Sequence, residues 1–133
     1  VRIRKKEESQ LLKQLYYNLQ RPANPRIGLP TADKIEFVEV DTIIRCEGEA
    51  NYTHIYFIGG RHLLVAKTLV DFEELLKEYN FVRVHKTHLI NLKQVVAYLK
   101  NEGGLLQLSD GKVIPVSRRR KEFVINKLKA NLN

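Results

Sequence analysis

Methionine is absent from this chain of 133 residues, and cysteine occurs once, at Cys46. A lone cysteine forms no internal disulfide, so a reducing, cytoplasmic setting is expected. With no start residue, the chain is expected to be a piece of a larger protein, with sequence missing before Val1. No apolar run approaches the roughly 18 residues that a membrane helix needs, so no membrane partner is expected. Val1-Arg2-Ile3-Arg4-Lys5-Lys6 is charged and no apolar core follows it, so no secretory signal is expected there. Catalytic hallmarks are missing too. There is no glycine-rich phosphate loop, no nucleophile elbow and no HExxH, so an enzyme is not expected. His85 and His88 make one close metal-ligand pair where a zinc site usually shows two, so no metal and no cofactor are expected.

What is present is positive charge, unevenly spread. The net charge is +8, but residues 35–110 carry 8 basic and 11 acidic side chains. Residues 1–34 carry 8 basic and 3 acidic, and residues 111–133 carry 7 basic and 1 acidic. Basic ends around a mildly acidic middle suit a polyanion partner, and they also suit plain solubility.

The hydrophobic period changes along the chain. Leu11, Leu12, Leu15, Tyr16 and Leu19 recur at helical spacing, which predicts an amphipathic helix over residues 8–20. Pro22 and Pro25 end it, and the stretch through Gly28 and Pro30 to Asp33 reads as a linker. Residues 1–33 are therefore expected to be a helix and connector to an upstream domain, with the folded domain at residues 34–133. From Lys34 the period is two, and about eight short strands are predicted. Tyr52-Thr53-His54-Ile55-Tyr56-Phe57-Ile58 is the strongest, being aromatic and β-branched. Gly59-Gly60, Asn101-Glu102-Gly103-Gly104 and Asp110-Gly111 each signal a hairpin. Thr68 with Asp71 three residues on is a capping box for a central helix, whose apolar face would be Leu69, Phe72, Leu75, Leu76 and Tyr79. Ser117 is placed to cap a closing helix from Arg118 to about Leu132, with Phe123, Val124 and Leu128 turned inward. The expected class is mainly β with short helices (α+β), a central short helix and a helix at each end. No two helices are adjacent, which excludes a helix-turn-helix.

Three polar segments stand out. His85-Lys86-Thr87-His88 closes an apolar strand with donor-rich side chains that suit phosphate oxygens and base edges. A solvated turn would look the same. Ser117-Arg118-Arg119-Arg120-Lys121 puts four cations at the start of a helix, where the helix dipole disfavours them. Arginine forks match guanine or phosphate, although an exposed charged face has the same composition. Glu49-Ala50-Asn51-Tyr52 offers an asparagine able to pair with adenine and a tyrosine, in what is also an ordinary turn sequence.

The segments from Lys67 through Asp71 and Phe81-Val82-Arg83-Val84-His85 to Asn91-Leu92 resemble the central signature of the LytTR DNA-binding family. Glu47-Gly48-Glu49-Ala50-Asn51-Tyr52 resembles its earlier loop, and Pro115-Val116-Ser117-Arg118 its closing motif. The likeness covers roughly residues 34–130, with the three motifs in the family's order. It implies an elongated arrangement of β-sheets that binds double-stranded DNA by loops entering successive major grooves. It also implies recognition of paired direct repeats by two copies, and an upstream receiver domain of a two-component response regulator. Carried over by motif, the DNA-facing positions are Asn51, Tyr52, Lys67, His85, Lys86, Thr87, His88, Arg118 and Arg119, with Arg120 included by adjacency. Asn91 also matches a family position, but its apolar surroundings predict a backbone partner. Two other readings remain: a module for RNA or protein, and a LytTR domain attached to a membrane-linked regulator. Tyr52, Tyr56 and Phe57 would be the stacking candidates for RNA, yet Tyr56 and Phe57 must point to opposite faces.

Overall fold

The computed structural model describes Ser9, Leu12 and residues 24–130. Among these are ten strands and two α-helices. The strands are β1 (Arg26–Pro30), β2 (Ile35–Glu39), β3 (Ile43–Glu49), β4 (Tyr52–Phe57), β5 (His62–Val65), β6 (Phe81–His85), β7 (His88–Asn91), β8 (Val95–Leu99), β9 (Leu105–Leu108) and β10 (Val113–Pro115). The helices are α1 (Leu69–Leu76) and α2 (Lys121–Ala130).

A five-stranded antiparallel sheet in the order β5-β4-β3-β7-β6 organises the molecule. A three-stranded sheet, β10-β9-β8, and the hairpin β1-β2 stand apart from it. Side chains alternate across a strand, so β3, β6 and β7 of the central sheet each feed two cores. On one side Cys46, Ile55, Phe57, Val65 and Leu89 meet Leu69, Phe72 and Leu76 of α1, with Ile27, Leu29 and Val38 of the β1-β2 hairpin. On the other side Ile44, Val82, Val84 and Ile90 meet Leu106, Leu108, Ile114 and Val124. Adjacent residues such as Leu89 and Ile90 thus serve opposite cores, which is why β7 reads as an unbroken apolar run.

The capping box forms as its spacing requires. Asp71 N donates to Thr68 Oγ1 at 3.3 Å, and Thr68 N donates to Asp71 Oδ2 at 3.2 Å. The three hairpins form as well, pairing β4 with β5, β8 with β9 and β9 with β10. Asn91 is buried; its Nδ2 donates to the Ile43 carbonyl at 3.0 Å and its Oδ1 accepts from Lys93 N.

Several expectations change. Residues 26–30 are not linker but a strand whose five residues pair with β2 from Arg26↔Glu39 to Pro30↔Ile35. Its proline sits at the strand end and Ile27 and Leu29 are buried, so a short apolar alternation was hidden among turn-forming residues. Leu75 and Phe123, expected inside, are 41% and 54% exposed. Ser117 makes no side-chain capping bond, and its hydroxyl is buried without a partner. The segment Arg118–Arg120 is a 3-10 turn that leads into α2. The predicted helix over residues 8–20 lies outside the described residues, apart from Ser9 and Leu12, both helical.

Candidate nucleic-acid interface

Strand direction decides where the first two polar segments go. In the five-stranded antiparallel sheet, β3 and β6 end where β4 and β7 begin. The turn of Ala50 and Asn51 therefore lies at the same end as the turn of Lys86 and Thr87. Backbone bonds tie them together: Gly48 N donates to the Thr87 carbonyl at 2.9 Å, and Glu47 pairs with His88. Lys67 arrives at this end because β5 finishes there, and its carbonyl accepts from Thr53 Oγ1 at 2.7 Å. The third segment comes from the other sheet. Ser117 N donates to the Val84 carbonyl at 2.8 Å, which sets Arg118 beside the end of β6 and next to His85. The nine residues carried over by motif, with Arg120 adjacent, thus come to one end of one sheet, although up to 69 positions separate the ten in the chain.

Their exposure divides them. Asn51, Tyr52, Lys86, Arg118 and Arg119 are exposed; Lys67, His85, Thr87, His88 and Arg120 are half-buried. None of the five cations Lys67, Lys86, Arg118, Arg119 and Arg120 makes an ion pair among the described residues. Their charge is left uncompensated, so this end projects a positive field. The acidic residues nearby are occupied. Glu47 holds Arg45 at 3.0 Å and lies 3.7 Å from His88 Nδ1. Glu49 Oε2 lies 2.6 Å from His54 Nε2, and His54 Nδ1 is 2.8 Å from His62 Nε2.

His88 faces inward, its side chain 12% accessible and its Nδ1 without a hydrogen bond. Burial holds its imidazole below the ordinary value, with Glu47 pulling the other way and His85 and Arg45 adding to the depression. Neutral His88 is therefore a wall of the site. His85, its partner across the strand pair, is also half-buried, and its Nδ1 lies 3.1 Å from Thr87 Oγ1 and 3.2 Å from Thr87 N. Two of the three aromatic candidates are engaged, and Tyr52 is exposed. Phe57 is in the core, while Tyr56 lies against His62 with ring centroids 4.8 Å apart and under the Arg45 guanidinium at 3.8 Å.

Two residues at this end were not singled out from the sequence. Arg83 bonds the backbone of the β6-β7 turn, and buried Arg45 braces the sheet face beneath it. Each sits in a strand whose pattern reads as core, and only the fold shows where the guanidinium ends. No group of three or more His, Cys, Asp and Glu side chains suited to a metal occurs among the described residues. Burial also pushes the Cys46 thiol far above its ordinary value, so it stays a protonated apolar side chain.

A family model described as the LytTr DNA-binding domain matches residues 33–129. Among curated proteins, the CO-responsive transcriptional regulator RcoM of Rhodospirillum rubrum is 30% identical over 105 residues, 74% of this chain and 44% of that protein. The heme-containing CO-sensing transcriptional regulator RcoM 1 of Paraburkholderia xenovorans is 30% identical over 98 residues, 71% of this chain and 36% of that protein. The chain spans less than half the length of these curated relatives. Among solved structures, the LytTr DNA-binding domain of a methyl-accepting/DNA response regulator from Bacillus cereus superposes with a TM-score of 0.67. At 22% identity it covers 77% of this chain and 95% of its own, a likeness of fold.

Proposed function

The chain belongs to the LytTr DNA-binding domain family, and from that premise we propose that it reads specific duplex sequences with the sheet end where its three polar segments meet. The observation that carries this is the convergence of Asn51, His85 and Arg118 beside four further cations, none of the five in an ion pair among the described residues. Arg118, with Asn51 or His85, reads base edges in the major groove. Lys67, Lys86, Thr87 and Arg119 hold phosphates, which sets register without carrying sequence. Arg120 adds charge, Tyr52 packs against the backbone at the first turn, and His88 supports the second turn from within.

The separated segments suit entry into successive grooves on one face of the duplex, and two copies on direct repeats would extend the contact. The domain is the output half of a cytoplasmic two-component regulator, with a receiver domain upstream. It acts by binding and not by catalysis. Relatives of this chain are named for CO sensing, which supports a different input domain as the second reading. Among the described residues no helix is long and apolar enough to cross a membrane. An RNA-stacking role is disfavoured by the engaged state of Tyr56 and Phe57.

Selection of bound duplexes from a random pool tests the reading. Enrichment of one sequence, repeated at a fixed spacing, is expected. Binding that stays indifferent to sequence at low salt, or a preference for single-stranded RNA, overturns it.

A further inference from the structure

Arg83 lies just behind the β6-β7 turn, its side chain 15% accessible. Its Nη2 donates to the Lys86 carbonyl at 2.5 Å and its Nε to the His85 carbonyl at 3.4 Å. Its Nη1 donates to Glu73 Oε1 of α1 at 3.1 Å. One planar guanidinium therefore spans two turn carbonyls and a helix carboxylate, a geometry that a lysine ammonium cannot reproduce.

The turn held in this way has a chemical consequence. Thr87 N lies 3.2 Å from His85 Nδ1. A backbone amide can only donate, so Nδ1 accepts, and in the neutral ring the proton is on Nε2. Nε2 has no hydrogen-bond partner among the described residues, and it is not among the buried unpartnered atoms. His85 accordingly presents an N–H donor at the sheet end.

We propose that Arg83 is a positioning residue that shapes the turn of Lys86 and Thr87, and that this turn fixes His85 as an Nε2–H donor for base-edge acceptors. Purine N7, guanine O6 and thymine O4 satisfy such a donor, and the N4 amino group of cytosine does not. The base-edge half rests on the DNA reading above. The tautomer half does not.

Nitrogen-15 NMR of the imidazoles in the whole chain reads the tautomer directly, without DNA. The Nε2–H form is expected for His85 at a pH where the ring is neutral. Arg83→Lys keeps the charge and loses the fork. It is expected to give a mixture of tautomers and to reduce preference for the selected duplex over a scrambled one by about tenfold at most, the loss of one hydrogen bond between neutral groups. Binding to the scrambled duplex, which the turn also serves through Lys86 and Thr87, should fall by less than binding to the selected one. Glu73→Ala removes only the anchor on a 41% accessible carboxylate and should shift both readouts the same way, by less. It decides the matter if Arg83→Lys does not fold. An Nδ1–H tautomer in the wild type overturns the proposal, as does a pair of variants that keep both tautomer and preference. If no duplex is preferred by the wild type, the DNA reading fails, and the nitrogen spectrum still judges the turn.

Discussion

Arg118 and Lys86 contribute the same charge to the proposed DNA-facing end, and their losses should look different. Arg118→Ala is expected to weaken binding to the selected duplex by about 1–3 kcal/mol and to relax the choice of base at its position, measured by titration on a panel of single-base variants. Lys86→Ala should weaken every sequence alike and lower the slope of log affinity against log salt by roughly 0.9, one released counterion. His88 yields a prediction of another kind. Its folded value lies below the ordinary 6.5, so the folded state resists protonation. The stability tied to its neutral form is complete above about pH 6.5 and declines as the pH falls toward the depressed folded value. The urea midpoint should therefore drop on acidification from pH 7.5 to 5, and His88→Gln should remove that part of the drop. A midpoint slope unchanged in the variant would show that His88 is not responsible. At this scale the sequence marked the donor-rich candidates, because such side chains stand out against short apolar strands. It could not give the partners of His85 and His88, since a bulged strand pair and the position of Glu47 decide what each imidazole meets.

At the scale of elements, α1 does two tasks. Its Phe72 is wholly buried against the central sheet, and its first turn begins directly after Lys67. Phe72→Ala is expected to cost about 3–5 kcal/mol in chemical denaturation, through lost transfer energy and the cavity left behind. Thr68→Ala should cost about 1 kcal/mol, the usual value of a helix cap. A Thr68→Ala midpoint equal to the wild type would mean that the capping box contributes nothing. The capping box and the glycine hairpins were legible because each depends on a few neighbouring residues. β1 was not. Gly28 and Pro30 are turn formers, and Gly28 is needed instead because a side chain there would press on Ile35 and Phe37 of the paired strand. Only the partner strand shows that requirement. The inward placement of Leu75 and Phe123 failed for a related reason: helical periodicity locates a stripe, but the width of the surface it meets sets how much of that stripe is covered.

For the whole molecule, the β1-β2 hairpin moves the edge of the folded unit ahead of Lys34. A chain beginning at Asn24 keeps all ten described strands and should fold cooperatively. One beginning at Lys34 loses buried Ile27 and Leu29, each worth about 1.5–3 kcal/mol, and should be clearly weaker. Sedimentation of the full chain against the chain beginning at Asn24 then tests pairing through residues 8–20, free of any loss of fold. Equal association in the two would count against that role.

The order of strands and turns from β2 onward, the capped helix, the two basic ends and the family were all contained in the sequence. They depend on spacing along the chain, and spacing survives without a partner. The meeting of the three polar segments was decided by tertiary structure alone. It requires β3, β4, β6 and β7 to alternate in direction so that their turns share one end, and it requires a backbone bond from Ser117 to Val84 to bring in the arginines from another sheet. Those are pairings between distant residues, chosen by how two cores fill on either side of one sheet.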